Sequence, residues 1–231
     1  MDEADRLMFE GWATLPQFKR KVEQARSTIR EGLSIAPAYV SVSWGKDSTV
    51  LLHLCQQEMP DIPVISFGHP ERELIDNYAE VEKAYLDRYS PKLTTIEIVG
   101  DHVPAKVQQS KLWQQYSVAF VGLRKEESKK RSIALSKYGL MHQFQTGGRS
   151  GSWRVCPLGW WNWKDVWAYT VIHALPYLKS YDRTPKDRGR TTDHFTKSAD
   201  KTWQRRRLEE FATINPTYYH HLRSEFPEMF F

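Results

Sequence analysis

Residues 37–54, PAYVSVSWGKDSTVLLHL, constrain the chain more than any other stretch. Tyr39 to Val42 is a short apolar, β-branched run and reads as a buried strand. Ser43-Trp44-Gly45-Lys46-Asp47-Ser48 is a polar turn with one glycine, one lysine and two hydroxyls. Thr49 to Leu54 then sets Val50, Leu51, Leu52 and Leu54 on a largely buried helix. Strand, polar loop and helix N-terminus in immediate succession is a geometry that binds anions. The first N–H groups of a helix lack intrahelical acceptors, and the positive end of its dipole points into the loop. Gly45 lets backbone approach a phosphate closely. Lys46 brings a mobile positive charge, and Ser43 and Ser48 bring hydroxyl donors. This is not a Walker A loop: the upstream glycine is missing and Asp47 interrupts the Gly-Lys-Ser/Thr tail. It is not G-x-G-x-x-G either.

The 231 residues suffice for one α/β domain with additions or for two small domains. No apolar run is long enough to span a membrane, and the acidic start (Met1-Asp2-Glu3-Ala4-Asp5) carries no signal-peptide pattern. A cytoplasmic location and no membrane partner are therefore expected. Of the two cysteines, Cys55 falls on the buried helix and reads as packing. Two thiols cannot build a Cys₄ zinc site or an iron–sulfur cluster without other ligands or a second chain. A net charge of +5 is compatible with a polyanionic ligand or nucleic acid but does not select one.

Residues 1–13 read as an irregular or short helical lead-in. Leu15 to Leu33 carries Phe18, Val22, Ala25, Ile29 and Leu33 at helical spacing, and Pro37 stops it. After the first strand, loop and helix, Pro63 to Phe67 reads as a second strand and Glu71 to Arg88 as a helix. Thr94 to Val99 is a third strand, Val103 to Gln115 a helix, and Ser117 to Leu123 a fourth strand. Alternation of this kind predicts an α/β fold: a doubly wound, mostly parallel, five-stranded sheet with helices on both faces. Ligands in such sheets sit at the carboxyl ends of the strands, near a topological switch point. That gathers Ser43 to Ser48, Ser66 to His69 and Gly122 to Glu127 around one crevice. Within Gly122 to Arg131, Arg124 is the strongest phosphate candidate, because a guanidinium binds bidentately and stays charged.

Gln145 to Ser152 is a Gly/Ser-rich loop, a passive connector or a segment that closes over a ligand with Arg149 and Arg154. Asn162 reads as an N-cap, with Asp165 three residues on, opening an aromatic helix. Arg183 to Arg207 is rich in Arg and Lys. It reads either as a basic loop or as an arm for a nucleotide or nucleic-acid acceptor. Trp203 to Ile214 and Pro216 to Phe226 follow as two short helices. The expected division is residues 1–182 as the nucleotide-binding α/β domain and 183–231 as a basic segment with helices packed on it.

Three stretches resemble one superfamily. Ser43-Trp44-Gly45-Lys46-Asp47-Ser48 is similar to the PP-loop, S-x-G-K-D-S, of the ATP pyrophosphatases and PAPS reductases, with Trp44 where glycine is usual. Gly122, Arg124, Glu127, Ser128 and Arg131 match its G-[IL]-R-x-x-E-S…R pattern. Pro157, Leu158, Trp161, Asp165, Val166, Trp167, Tyr169, Leu175, Pro176 and Tyr181 match its [PI]-[LI]-x-x-W-x-x-x-D-V-W-x-Y…L-P-x-x-x-x-Y signature. The resemblance implies an adenine nucleotide α-hydrolase-like fold and an adenine-nucleotide ligand. Ser43, Trp44, Gly45, Lys46, Asp47 and Ser48 would hold phosphates, Ser66, Phe67 and Gly68 would lie near the adenosine, and Arg124, Arg131 and Arg154 would line the anion site. For an ATP-using member it implies ATP and Mg²⁺ as cofactors, Asp47 as a metal ligand, and cleavage between the α and β phosphates that adenylates a substrate or transfers sulfur. Lys46, Asp47, Arg124 and Cys156 are then the candidate catalytic residues.

Sulfonucleotide reductases carry a nucleophilic cysteine in a C-terminal Glu-Cys-Gly-type motif. No cysteine follows Cys156 in these residues. The loop keeps Lys46-Asp47-Ser48, which many reductases lose. Both features make the ATP-using branch the first expectation, with a PAPS or APS reductase as the alternative and a non-catalytic nucleotide- or nucleic-acid-binding module as the third. Phe67-Gly68-His69-Pro70 departs from the more familiar Asp-Thr-Gly, so base and ribose contacts are not carried over. Cys156 reads either as a small buried hydrophobe or as a thiolate assisted by neighbouring arginines. A second copy or a partner subunit stays open.

Overall fold

A computed structural model describes residues 1–68, 76–97, 111, 114–145, 150–183 and 201–230. Six strands form one sheet: β1 (Ala38–Val42), β2 (Pro63–Gly68), β3 (Lys92–Glu97), β4 (Val118–Val121), β5 (Met141–Gln143) and β6 (Trp153–Val155). Their order is β3-β2-β1-β4-β6-β5, parallel throughout except for β5 against β6. The sheet has one strand more than the five expected. β5 and β6 are three residues each and lack the β-branched runs that marked the others.

The order reverses at β1. The chain winds outward through β2 and β3 on one side and resumes at β4 on the other. The crevice at a switch point therefore falls between the carboxyl ends of β1 and β4, which deliver residues 43–48 and 122–131.

Alternation along β1 divides the packing. Val40 and Val42 enter the main core, while Tyr39 joins a smaller cluster with Ile65 and Ile96. The helices that supply the main core are α1 (Glu3–Thr14), α2 (Pro16–Ile35), α3 (Lys46–Glu58), α4 (Tyr78–Tyr89) and α6 (Trp163–Ile172). α5 (Lys129–Tyr138) follows the β4 loop, and α7 (Lys201–Ile214) and α8 (Pro216–Glu225) close the chain. Leu208, Phe211, Tyr218 and Leu222 of α7 and α8 join the same core.

Of the two readings of residues 1–13, the helical one holds, and the helix runs over 12 residues, Glu3–Thr14. Asp2 caps α1, its carboxylate accepting from the Asp5 N–H at 2.8 Å. Phe9 is fully buried between Trp163 and Trp167 of α6. The Trp12 indole N–H donates to Asp165 at 2.9 Å, and Lys21 pairs with the same carboxylate at 2.5 Å. Asp165 also completes a capping box with Asn162, so one buried aspartate ties three helices together. The expected helix over Val103 to Gln115 and the start of that over Glu71 to Arg88 fall largely outside the described residues.

Candidate functional site

Gly45 caps α3 with extended backbone, and no side chain occupies the helix N-terminus. The loop instead closes on itself through its hydroxyls. Ser48 Oγ accepts from the Ser43 N–H at 3.1 Å and donates to the Gly45 carbonyl at 3.0 Å. Ser43 Oγ lies 3.3 Å from Ser48 Oγ. Across the crevice, Gly122 touches this loop. A Cβ there would come within 3.1 Å of the Asp47 and Ser48 backbone. The glycine opening the second motif is therefore a packing requirement of the first.

A cavity of about 240 Å³ opens here. Ser43, Gly45, Asp47 and Ser48 form one wall, and Glu127 and Arg131 form another. Ser41 and Tyr181 also line it, and neither stood among the expected binding residues. Ser41 could have been found from β1: alternation places it on the same side of the strand as Ser43.

The charged residues of the loop turn inward. Lys46 is 1% exposed, its ammonium 2.7 Å from one Asp47 oxygen and 5.1 Å from the Tyr181 ring centroid. Arg124 is 0% exposed and donates through Nε to the other Asp47 oxygen. Its Nη1 and Nη2 make no hydrogen bond among the described residues. Burial pushes the Asp47 carboxyl up, but the Lys46 and Arg124 charges outweigh it and hold the group below the ordinary carboxylate range. Burial depresses the Arg124 pKa, and Asp47 and Glu127 more than restore it. The three form an ionised network beneath the loop.

Neither Lys46 nor Arg124 lines the cavity. Both oxygens of Asp47 are engaged by cations, which disfavours the carboxylate as a magnesium ligand. No cluster of three metal-binding side chains occurs among the described residues. Trp44 takes a left-handed φ of 60°, which for a non-glycine costs roughly 1–2 kcal/mol. Its indole is fully buried against Tyr85 at 5.9 Å, its Nε1 without a hydrogen-bond partner among the described residues, and it leaves the cavity to its neighbours. Trp44 thus makes the turn and fills the space below it.

Arg131 stays at the cavity, paired with Glu127 at 2.5 Å. Ser66 lies beside Val42 in register, fully buried, and its hydroxyl has no hydrogen-bond partner among the described residues. Phe67 lines a different, smaller cavity with Tyr39, Tyr116 and Arg154, and Gly68 ends β2. Cys156 is 1% exposed. Burial pushes its thiol up to about 12 against the opposing pull of Arg154 and Arg131, so the resting group is a thiol and not a thiolate. Cys55 is buried on α3, and burial pushes its pKa well up. Most of the basic segment expected to meet an acceptor, residues 184–200, and Arg149 of the Gly/Ser-rich loop lie outside the described residues, while Arg205 and Arg206 are exposed on α7.

A family model described as the phosphoadenosine phosphosulfate reductase domain matches residues 37–214. A phosphoadenosine 5'-phosphosulfate reductase of Xanthomonas campestris is 30% identical over 156 residues, 61% of this chain and 64% of that one. An adenosine 5'-phosphosulfate reductase of Bacillus mycoides is 31% identical, over 61% of this chain and 65% of that one. The chain thus spans a little under two thirds of the length of the curated relatives it matches. Among solved structures, the Candida auris PAPS reductase in its phosphate complex is similar in fold, with a TM-score of 0.52 and 14% identity over 66% of this chain and 81% of that one. The Candida glabrata FMN adenylyltransferase in complex with ATP has a TM-score of 0.51 and 18% identity over 72% of this chain and 62% of that one. The family match covers all three motifs together with the sheet and the crevice they build, and the chain belongs to the phosphoadenosine phosphosulfate reductase domain family of the PP-loop superfamily.

Proposed function

We propose that the chain is an enzyme of sulfur metabolism that binds an adenosine phosphosulfate in the crevice between β1 and β4 and cleaves it. The observation that carries this reading is the uncapped N-terminus of α3, which faces a cavity also lined by Ser43, Ser48 and Arg131. The names of the relatives supply the sulfonucleotide class. In this reading the phosphosulfate end lies over Gly45 to Ser48, with Arg131 as its charged partner. The adenosine extends toward the end of β2 at Ser66 to Gly68. Lys46, Asp47 and Arg124 act from beneath, fixing the loop backbone that meets the anion.

Reductive cleavage needs a thiolate that attacks sulfur, breaks the S–O bond and expels the nucleotide. A second thiol then releases sulfite and leaves a disulfide, so two electrons come from two thiols. Cys156 is buried and protonated, so the attacking thiol in this proposal comes to the crevice from outside the described site.

The second reading is ATP cleavage between the α and β phosphates, giving an adenylated substrate and pyrophosphate. The intact Lys46-Asp47-Ser48 loop and the protonated Cys156 favour it. Magnesium fits poorly at Asp47 for the reason given above, and no step is assigned to a metal.

A thermal-shift panel with PAPS, its desulfated product, Mg²⁺-ATP and AMP separates the two. A ligand at a hundred times its Kd adds ~2.7 kcal/mol, which for a chain of this size is roughly 5–10 °C. A shift with PAPS and its product, followed by thiol-dependent sulfite release, is the expected result. A shift with Mg²⁺-ATP and none with PAPS would overturn it in favour of the second reading.

A further inference from the structure

A second cavity, of about 310 Å³, lies beside the first and shares Leu123 and Arg131 with it. Nothing in the nucleotide reading uses it. It sits between α5 and the short hairpin of β5 and β6. Leu123, Ala134 and Leu135 form an apolar wall. Lys130, Arg131 and Arg154 form a cationic one, with His142 and the Cys156 thiol between.

The cationic wall is not neutralised from within. Arg131 has its carboxylate in Glu127 at 2.5 Å. Lys130 and Arg154 have no carboxylate partner among the described residues. The Arg154 guanidinium is half-buried and lies over the Phe144 ring at 4.8 Å, which orients it without satisfying its donors. A half-buried, unpaired guanidinium is costly and calls for an anion. His142 is the cross-strand partner of Arg154, and its Nδ1 is buried with no hydrogen-bond partner among the described residues. Burial, then the nearby Arg154 charge, lower its pKa, so it is neutral near pH 7. The cavity therefore offers two uncompensated cations, one unpartnered ring nitrogen and an apolar wall. An inorganic oxyanion would satisfy the first two features and leave the third unfilled.

We propose that this cavity binds a small organic anion, its carboxylate or sulfonate on Arg154 and Lys130 and its apolar body against Leu123 and Leu135. The shared Arg131 places such a molecule next to the nucleotide, where a second substrate would stand. The site stands on its own residues, whichever nucleotide the neighbouring crevice takes.

Benzoate, benzamide and inorganic phosphate are the probes, and the His142 ring resonance is the reporter. The chain has eight histidines, and His142→Gln assigns the signal. Benzoate is expected to shift the His142 signal saturably and to raise its pKa, because a nearby anion favours imidazolium. Its neutral isostere benzamide is expected to bind at least about tenfold more weakly, the scale of a charge-assisted contact. Arg154→Gln should lose benzoate affinity by about tenfold or more, while Arg154→Lys keeps it within a few-fold. His53 and His173, whose ring centroids are 4.8 Å apart and which do not line this cavity, report that each variant is folded. Should Arg154→Gln fail to fold, the exposed Lys130→Gln carries the test, with an expected loss of about threefold. Equal binding of benzamide and benzoate, phosphate binding as well as benzoate, or no saturable shift would each overturn the proposal.

Discussion

The inner and outer sides of the Ser43–Ser48 loop do different work with residues of one short motif. The outer side, Ser43, Gly45 and Ser48, is small and neutral and leaves the end of α3 open to the cavity. The inner side, Trp44 and Lys46, is large and buried, and Asp47 joins the two by holding Lys46 and Arg124 beneath the loop. Charge type alone is a poor guide to which residues meet an anion. In this chain the motif's cations lie beneath the loop, and its backbone and hydroxyls face the cavity. If that division is right, changes on the inner side cost stability first and changes on the outer side cost affinity first.

The largest effect belongs to Arg124→Met. Removing one partner of a buried, hydrogen-bonded ion network leaves Asp47 undercompensated, at about 3–5 kcal/mol. Urea denaturation should show this loss, and adding Asp47→Asn should deepen it rather than repair it, because the buried Lys46 ammonium then loses the carboxylate it pairs with. A single variant as stable as the parent that has lost nucleotide affinity would move Arg124 to the outer side and break the division.

Next is the pH dependence of the inner core. His53, on α3 below the loop, is 7% exposed, and its ring lies 3.0 Å from the Tyr169 hydroxyl. Burial, with His173 and Arg88 nearby, lowers its pKa from 6.5 to about 4. A base with a depressed folded pKa contributes stability that is present above the unfolded value. That stability is lost as pH falls from about 6.5 to 4. The full shift corresponds to roughly 3–3.5 kcal/mol, of which about 2–3 is lost by pH 4.5. Denaturation at pH 7 and pH 4.5 should show this loss in the parent and a smaller one in His53→Gln. Equal losses would mean that this side of α3 is wetter than its packing indicates.

Much of the fold was legible because its signals are local. The β-branched run at Tyr39 to Val42, the helical spacing from Phe18 to Ile29 and the Asn162–Asp165 cap are each contained in a few residues. β5 and β6 were not, since three-residue strands carry no period. α1 was underread because Phe9 is its one buried residue and much of its hold is Trp12 reaching Asp165. At the site, the residue types and the crevice were legible, but their orientation was not. Asp47 and Arg124 are 77 positions apart, and nothing local says that they pair. The left-handed turn at Trp44 is equally invisible, since the residue type argues against it.

On the outer side, Arg131→Gln is the larger change. Arg131 keeps one face at the cavity while paired with Glu127, and a charged hydrogen bond to a phosphate or sulfate contributes about 1.5–3 kcal/mol. The nucleotide Kd should rise by roughly 10- to 150-fold in isothermal titration. Stability should change by less than about 1 kcal/mol, because the Glu127 pair is partly exposed.

The smallest change is Ser43→Ala, and it is the sharpest on the division itself. Ser43 is exposed, and its hydroxyl lies 3.3 Å from Ser48 Oγ, a contact that water can replace. Removing it should leave stability within about 0.5 kcal/mol. The backbone N–H of residue 43 still donates to Ser48 Oγ at 3.1 Å, so the loop keeps its shape in the variant. What is lost is one neutral donor to the bound anion, about 0.5–1.5 kcal/mol, a Kd increase of roughly 2- to 12-fold. The same pair of measurements, denaturation and titration, reads both sides of the loop on one scale. Arg124→Met should move mainly the first and Ser43→Ala only the second. If Ser43→Ala destabilised the fold while leaving affinity unchanged, the hydroxyl would be a strut of the loop, and the anion would be held by backbone N–H groups and Arg131 alone.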